Sequence, residues 1–375
     1  MGNGLKNLLL LIGALLLTLL LAEMLVRLLT PQQLLLPGAD LWKPDSLCGY
    51  RHISNADIIV NMGEQPVRFR TDSLGYRSGV SEAGSPADIS LLLIGDSFLE
   101  GLSLDDDDTI PAILEQRLAS LLHLRVCAVN AGVSGWNPNH YYAEARRSLA
   151  LAQYDLGIVF LYIMNDVVSA VDTCLQATKF SSIRQFRIPG NFRRIEWMDA
   201  VFGPLNDRLS GFSHLYVFVK EKLLFLLRRW GWAGDDIPAV LLKSESEASG
   251  WEPTILLCSQ IRAEFERAKT QVLFVFLPAD YQVHEHLFYD YLYGLGISTD
   301  AVDLGQPQRW LSKRGLEAGL TILDPLLYLR HCAQAGETLY GSRDRHFNAA
   351  GSRALVDYIL PYVQQLLQLK LSISR

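Results

Sequence analysis

The chain has 375 residues, 49% of them hydrophobic and 20% charged. That length and balance suit one large globular domain or two small ones and exclude a disordered chain. The net charge of -6 leaves no basic footprint for nucleic acid. Five cysteines, Cys48, Cys127, Cys174, Cys258 and Cys332, form no CxxC pair and no zinc-like spacing. Cys127 sits in an apolar run and is expected to be a buried thiol; pairing among the other four is open.

The first element is apolar. The stretch NLLLLIGALLLTLLLAEMLVRLL, residues 7–29, is uncharged from Leu8 to Ala22, meets Glu23, and continues past it. At about 1.5 Å per residue it is long enough for a hydrocarbon core of ~30 Å. A cleaved signal needs small residues before its cut, and Leu20 with Ala22 fits that poorly. Residues 5–29 are therefore expected to span the lipid bilayer once as an uncleaved anchor, with the rest of the chain outside the cytoplasm, in the periplasm. The flanking charges, Lys6 before and Arg27 after, do not by themselves set the orientation.

Residues 30–88 are rich in Pro, Gly, Asp and Ser and read as a membrane-proximal connector. Alternation in VRFRTDSLGYRS predicts a short strand or turn near Gly75. After it, strand-like runs at 89–94, 124–129, 156–162, 271–277 and 319–323 alternate with helical patterns. One of these is TIPAILEQRLASLL, with Thr109 as N-cap and Pro111 in its first turn. Others are PNHYYAEARRSLALAQ and residues 254–269. Such alternation predicts an α/β fold, a five-stranded parallel sheet with helices on both faces, over residues 89–369. In such sheets ligands bind beyond the carboxyl ends of the strands.

Residues 167–253 break the alternation and read as an insertion. Within it, SHLYVFVKEKLLFLLRRWGW (213–232) is an apolar helix carrying Lys220, Lys222, Arg228 and Arg229. Burial against the main domain is the expectation, ahead of a membrane-surface helix or a lid. Trp197, Trp230, Trp232 and Trp251 are candidates for stacking on sugar rings, against core packing. The acidic run Asp105–Asp108 reads as a solvated loop that favours the start of the next helix. His284 and His286 stand two apart, on different helix faces, and make a poor metal pair.

Chemistry-bearing residues collect at the ends of the strands. The first strand runs into Gly95-Asp96-Ser97, the second into NAGVSGW with Gly132 and Gly135, the third into IMND with Asn165. After the fifth comes DRHFNAAG, with Asp344 and His346. Singly, these read as a turn, a flexible loop, a helix cap and an exposed histidine. Together they are a nucleophile, oxyanion donors, a base and its orienting carboxylate, all at one sheet edge.

On those four blocks the chain resembles the SGNH (GDSL-like) hydrolase family, in its membrane-anchored bacterial form. The resemblance covers about residues 66–365, less the insertion. It implies a flavodoxin-like three-layer sandwich. It also implies a catalytic set of Ser97, His346 and Asp344, and an oxyanion hole of the Ser97 and Gly135 backbone with the Asn165 amide. No cofactor or metal is needed. Two positions depart from the family pattern: Ile163 replaces the glycine that usually opens the third block, and Asp344 stands two residues before His346 where three is common, Arg343 holding the other place. The expected activity is that of a serine esterase, with acylated envelope glycans or small esters as substrates. An O-acyltransferase acting on polysaccharide, or a non-catalytic scaffold, remain the alternatives.

Overall fold

The computed structural model describes residues 3–32, 34, 41–62, 64–79, 81, 83–169, 205–206, 208–230, 241, 251–342 and 344–373. The amino-terminal apolar run forms a single helix, α1 (Asn3–Leu29). Among the described residues it is the one helix long and apolar enough to cross a membrane. None of its residues is buried; Ala22, Glu23 and Val26 alone are partly covered.

The segment expected to act as a connector carries two antiparallel hairpins. The first is β1 (Trp42–Asp45) with β2 (Gly49–His52), the second β3 (Asp57–Asn61) with β4 (Pro66–Arg70). The turn expected near Gly75 is present, with φ +82°, and a Cβ there would come within 2.9 Å of the His52 carbonyl oxygen. Glycine meets both demands. This segment is keyed into the body that follows. The guanidinium of Arg77 is fully buried, stacked over the Phe69 ring at 4.3 Å. It donates to the carbonyl oxygens of Glu100, Gly101 and Leu104.

The body is one parallel sheet of β5 (Ile89–Gly95), β6 (Val126–Gly132), β7 (Leu156–Tyr162), β8 (Gln271–Leu277) and β9 (Ile322–Leu323), in the order β6-β5-β7-β8-β9. Its strands are apolar on both faces, as a sheet covered on both sides requires. Leu92, Ile94, Val159 and Phe274 point into one core with Tyr141 of α4 (Pro138–Leu151) and Phe265 of α7 (Glu252–Arg267). Leu91, Leu93, Ile158 and Leu273 point into the other, with Leu114 of α3 (Ile110–Leu122) and Leu355 of α12 (Ala349–Ile373). The result is the expected three-layer α/β/α sandwich. The fifth strand is shorter than the run 319–323. Gly319 sits at φ +69°, and the Leu320 amide donates back to the Gly315 carbonyl, closing α10 (Gln306–Glu317).

Two expectations are corrected. The helix of the insertion, α6 (His214–Arg229), is not buried against the main domain: none of its described residues is. It crosses α1 at one end and touches α9 (Glu285–Leu295) through Phe225, beside Gly294. Among the described residues its partners are the start of the helix's own segment at Asn206 and Ser210, the end of α1, and Gly294 beside Phe225, which leave Val219, Leu223 and Leu226 exposed. The acidic run is not wholly solvated. Asp106 is buried and pairs with Arg70 at 2.7 Å and Arg77 at 3.3 Å. Trp251 is also buried, edge-on to Trp310, while Trp197, Trp232, Arg343 and Cys174 lie outside the described residues. Cys48, Cys127, Cys258 and Cys332 are all buried, and no disulfide joins them.

Candidate active site

Strand β5 is the middle of three neighbours, and the chain leaves it through Gly95 into α2 (Ser97–Glu100). Asp96 caps that turn, its carboxylate accepting from the Phe98 amide at 3.0 Å. A Cβ on Gly132, opposite Gly95 in the ladder, would strike the Glu100 amide nitrogen at 2.5 Å. That glycine lets β6 pass close beneath the turn. Ser97 is thereby presented, partly exposed, at the carboxyl edge of the sheet.

The loop between Tyr340 and Phe347 carries His346 to the same place. Its Nε2 lies 2.8 Å from Ser97 Oγ. Its Nδ1 lies 2.9 Å from the backbone carbonyl oxygen of Asp344. A carbonyl can only accept, so the proton is on Nδ1 and Nε2 has the lone pair that faces the serine hydroxyl. The Asp344 carboxylate is close but secondary, its Oδ2 being 4.0 Å from Nδ1. That carboxylate instead accepts from Ser103 Oγ and from the His346 amide, the latter at 3.1 Å. Burial raises the Asp344 carboxyl above the ordinary range, and the nearby His346 and the Ser103 hydroxyl oppose the rise. The imidazole ring packs on Phe98 at 4.7 Å between centroids, which fixes its plane. Arg345, between Asp344 and His346, has φ +61° and pairs with Asp280 at 2.5 Å.

Gly135 and Asn165 lie on the segments that follow β6 and β7, the two strands flanking β5. Gly135 is in the loop after β6, with φ +76°. Asn165 is in α5 (Ile163–Ser169), directly after β7, and its Nδ2 donates to Asp96 Oδ2 at 3.3 Å. Ile163 is fully buried in the core. Asp96 is fully buried; desolvation pushes its carboxyl up to about 6, against the Phe98 amide, His346 and the Asn165 amide. Asp166, buried beside it, is raised well above the ordinary range by burial and by Asp96, and it accepts from Tyr141 Oη and the Tyr162 amide.

Several residues that shape the site carry no motif. Glu100, wholly buried, accepts from the Ser134 amide at 2.7 Å and from Ser134 Oγ, holding the loop that bears Gly135. Its other oxygen is 2.6 Å from His52 Nε2 on β2. Glu64, from the β3–β4 hairpin, accepts from the Asp344 amide at 3.1 Å. A glutamate three residues after the serine, between Leu99 and Gly101, was a visible oddity of the sequence; His52 and Glu64 had no such signal.

No protein-family model matches the chain, and neither does any curated relative. Solved structures similar to it include TesA, at 12% identity and a TM-score of 0.39 over 74% of this chain and 99% of that one. Another is the acetyl xylan esterase AlAXEase, at 11% identity and a TM-score of 0.41 over 73% and 100%. A third is a lipase/acylhydrolase from Enterococcus faecalis, at 12% and 0.36 over 74% and 96%.

Proposed function

We propose that this protein is a serine esterase of the SGNH kind, acting through Ser97, His346 and Asp344 on acyl esters of envelope glycans and held at the membrane by α1. The observation that carries this reading is the 2.8 Å contact between Ser97 Oγ and Nε2 of His346. A serine hydroxyl is a weak nucleophile until a base takes its proton.

In this reading Ser97 Oγ attacks the ester carbonyl carbon while its proton passes to Nε2. The Asp344 carbonyl keeps Nδ1–H in place throughout, and the carboxylate at 4.0 Å steadies the imidazolium. The negative oxygen of the tetrahedral intermediate is held by the Ser97 and Gly135 amides and the Asn165 side chain. Nε2–H then protonates the departing alkoxide. Water repeats the sequence on the acyl-enzyme, releasing the carboxylic acid and restoring Ser97. The glycan as the alcohol portion follows from the motif resemblance, and the hydrogen bond from Asn165 Nδ2 to Asp96 Oδ2 supports the assignment of Asn165 as a fixed donor, its second amide hydrogen remaining for the oxyanion.

The test is hydrolysis of p-nitrophenyl esters of graded chain length by the full-length protein in detergent. Ser97→Ala is expected to lower turnover by about a million-fold with an unchanged melting temperature. Near-normal turnover in that variant would overturn the reading.

A further inference from the structure

The insertion helix α6 has an unusual surface. Val219, Leu223 and Leu226, with Trp230 just beyond the helix, recur at steps of four, three and four residues, so they form one stripe. All are exposed: Val219 and Leu223 by 52%, Trp230 by 58%. Phe225, on the opposite side, points at Gly294 of the body. The helix therefore turns an apolar stripe outward while fastened from behind. Lys220 and Lys222 flank the stripe, each with its ammonium over a neighbouring ring, Tyr216 and Phe218 respectively. Long cationic side chains beside an apolar stripe suit a lipid boundary, where the stem is buried and the charge stays wet.

The position of α6 relative to α1 gives the stripe a place. Glu23 of α1 accepts from Ser213 Oγ at 2.7 Å and from the His214 and Leu215 amides at 3.0 and 2.9 Å, so the anchor itself caps the first turn of α6. Arg27 pairs with Glu23 at 2.6 Å and donates to the Phe212 carbonyl at 2.8 Å. The Gln32 amide donates to His214 Nδ1 at 2.8 Å. Glu23 lies eighteen residues along the helix from Leu5, which at about 1.5 Å per residue is roughly one hydrocarbon thickness. The start of α6 is tied to the level at which α1 leaves the hydrocarbon.

We propose that α6 is an interfacial helix, whose stripe of Val219, Leu223, Leu226 and Trp230 lies in the headgroup–acyl boundary of the bilayer that α1 crosses. This rests on the reading of α1 as an anchor. The occupant of the stripe is lipid because the first turn of α6 is capped by Glu23 of α1, a helix whose own apolar surface is bare, so the stripe begins where the anchor leaves the hydrocarbon. The catalytic body then lies against the membrane at a fixed tilt, with two attachments in place of one.

The experiment uses the full-length protein and its Trp230→Phe variant in vesicles of phosphatidylcholine and phosphatidylglycerol. The phosphatidylcholine is brominated either near the headgroup end or near the methyl end of its acyl chains. The fluorescence difference between the two proteins reports Trp230 alone. Its loss in the shallow-brominated lipid, with weaker loss in the deep-brominated one, is the expected result. Full persistence in both overturns the proposal. An alkaline carbonate wash separates the two readings. If the chain stays in the vesicles and Trp230 is unquenched, α6 alone is misassigned; if the chain washes off, the anchor reading fails as well. Equal melting temperatures of the two proteins verify that the variant is folded.

Discussion

The orientation of His346 is set by a backbone carbonyl, and this changes what the carboxylate of Asp344 is worth. An asparagine at 344 leaves the carbonyl and its bond to Nδ1–H in place. Asp344→Asn is therefore expected to lower kcat by far less than the loss of about a million-fold expected for His346→Ala. A steady-state comparison of the two variants on one p-nitrophenyl ester checks this. Asp96 gives a second prediction, on stability. Its folded pKa of about 6 lies above the value near 3.9 of an unfolded chain. Between those values the folded state binds the extra proton, so the stability it contributes is present at low pH and is lost as pH rises through about 6. Two pH units correspond to roughly 3 kcal/mol. Asp96→Asn keeps an acceptor for the Phe98 amide and removes the titration. Relative to wild type it is expected to be more stable at about pH 8 than at about pH 4 by an amount of that order, read from urea unfolding at the two values.

At the scale of elements, the hairpins before the sheet hold the turns that hold the site. Arg77 closes the carbonyls at the end of α2, and His52 backs the glutamate that fixes Ser134. Arg77→Ala leaves Asp106 and three buried carbonyls short of a donor and is expected to cost about 3–5 kcal/mol. Denaturant midpoints measure it, and a loss below 1 kcal/mol would show that water replaces the guanidinium. The strands of the sheet were legible because each is a short, doubly buried apolar run bounded by turn residues, and the ends of those runs carry the polar groups that matter. Ser97 and Asn165 were read from the ends of such runs, whereas His346 lies on a loop beyond the helix that follows β9. What was not legible came from long-range pairing. Residues 41–78 form strands of only four or five residues, too short for a strong period outside β4, and they bury a charged group, Arg77, among their apolar ones. The covering of α6 was misread for a related reason: apolar content shows that a helix needs a partner, and says nothing of whether the partner is protein.

At the scale of the molecule, hydrolysis and acyl transfer share one acyl-enzyme and part only at the second acceptor. Transfer requires that a sugar hydroxyl be placed and water kept out. Ser97 is partly exposed, and the described residues place the ring of His346 with its edge in solvent, 34% accessible. Water is therefore the expected acceptor. Supplying an activated acetyl ester with and without oligosaccharide, then measuring free acetate and acetylated sugar, distinguishes the two, and acetyl groups passing to sugar in excess over water would reverse the assignment. The membrane reading is tested separately: protease added to spheroplasts should digest the catalytic body and spare α1.

Arg345 is the one residue between the carboxylate and the base, and its backbone is left-handed. For a residue with a side chain that conformation costs about 1–2 kcal/mol, while its half-exposed pairing with Asp280 returns about 0–1 kcal/mol. Glycine at 345 would relieve the first and forgo the second, leaving the melting temperature nearly level. It would also untie the loop that aims His346. If His346 is the base, as proposed, Arg345→Gly is thus expected to fold as well as the wild type and to turn over more slowly, so that one position separates the demands of folding from those of chemistry.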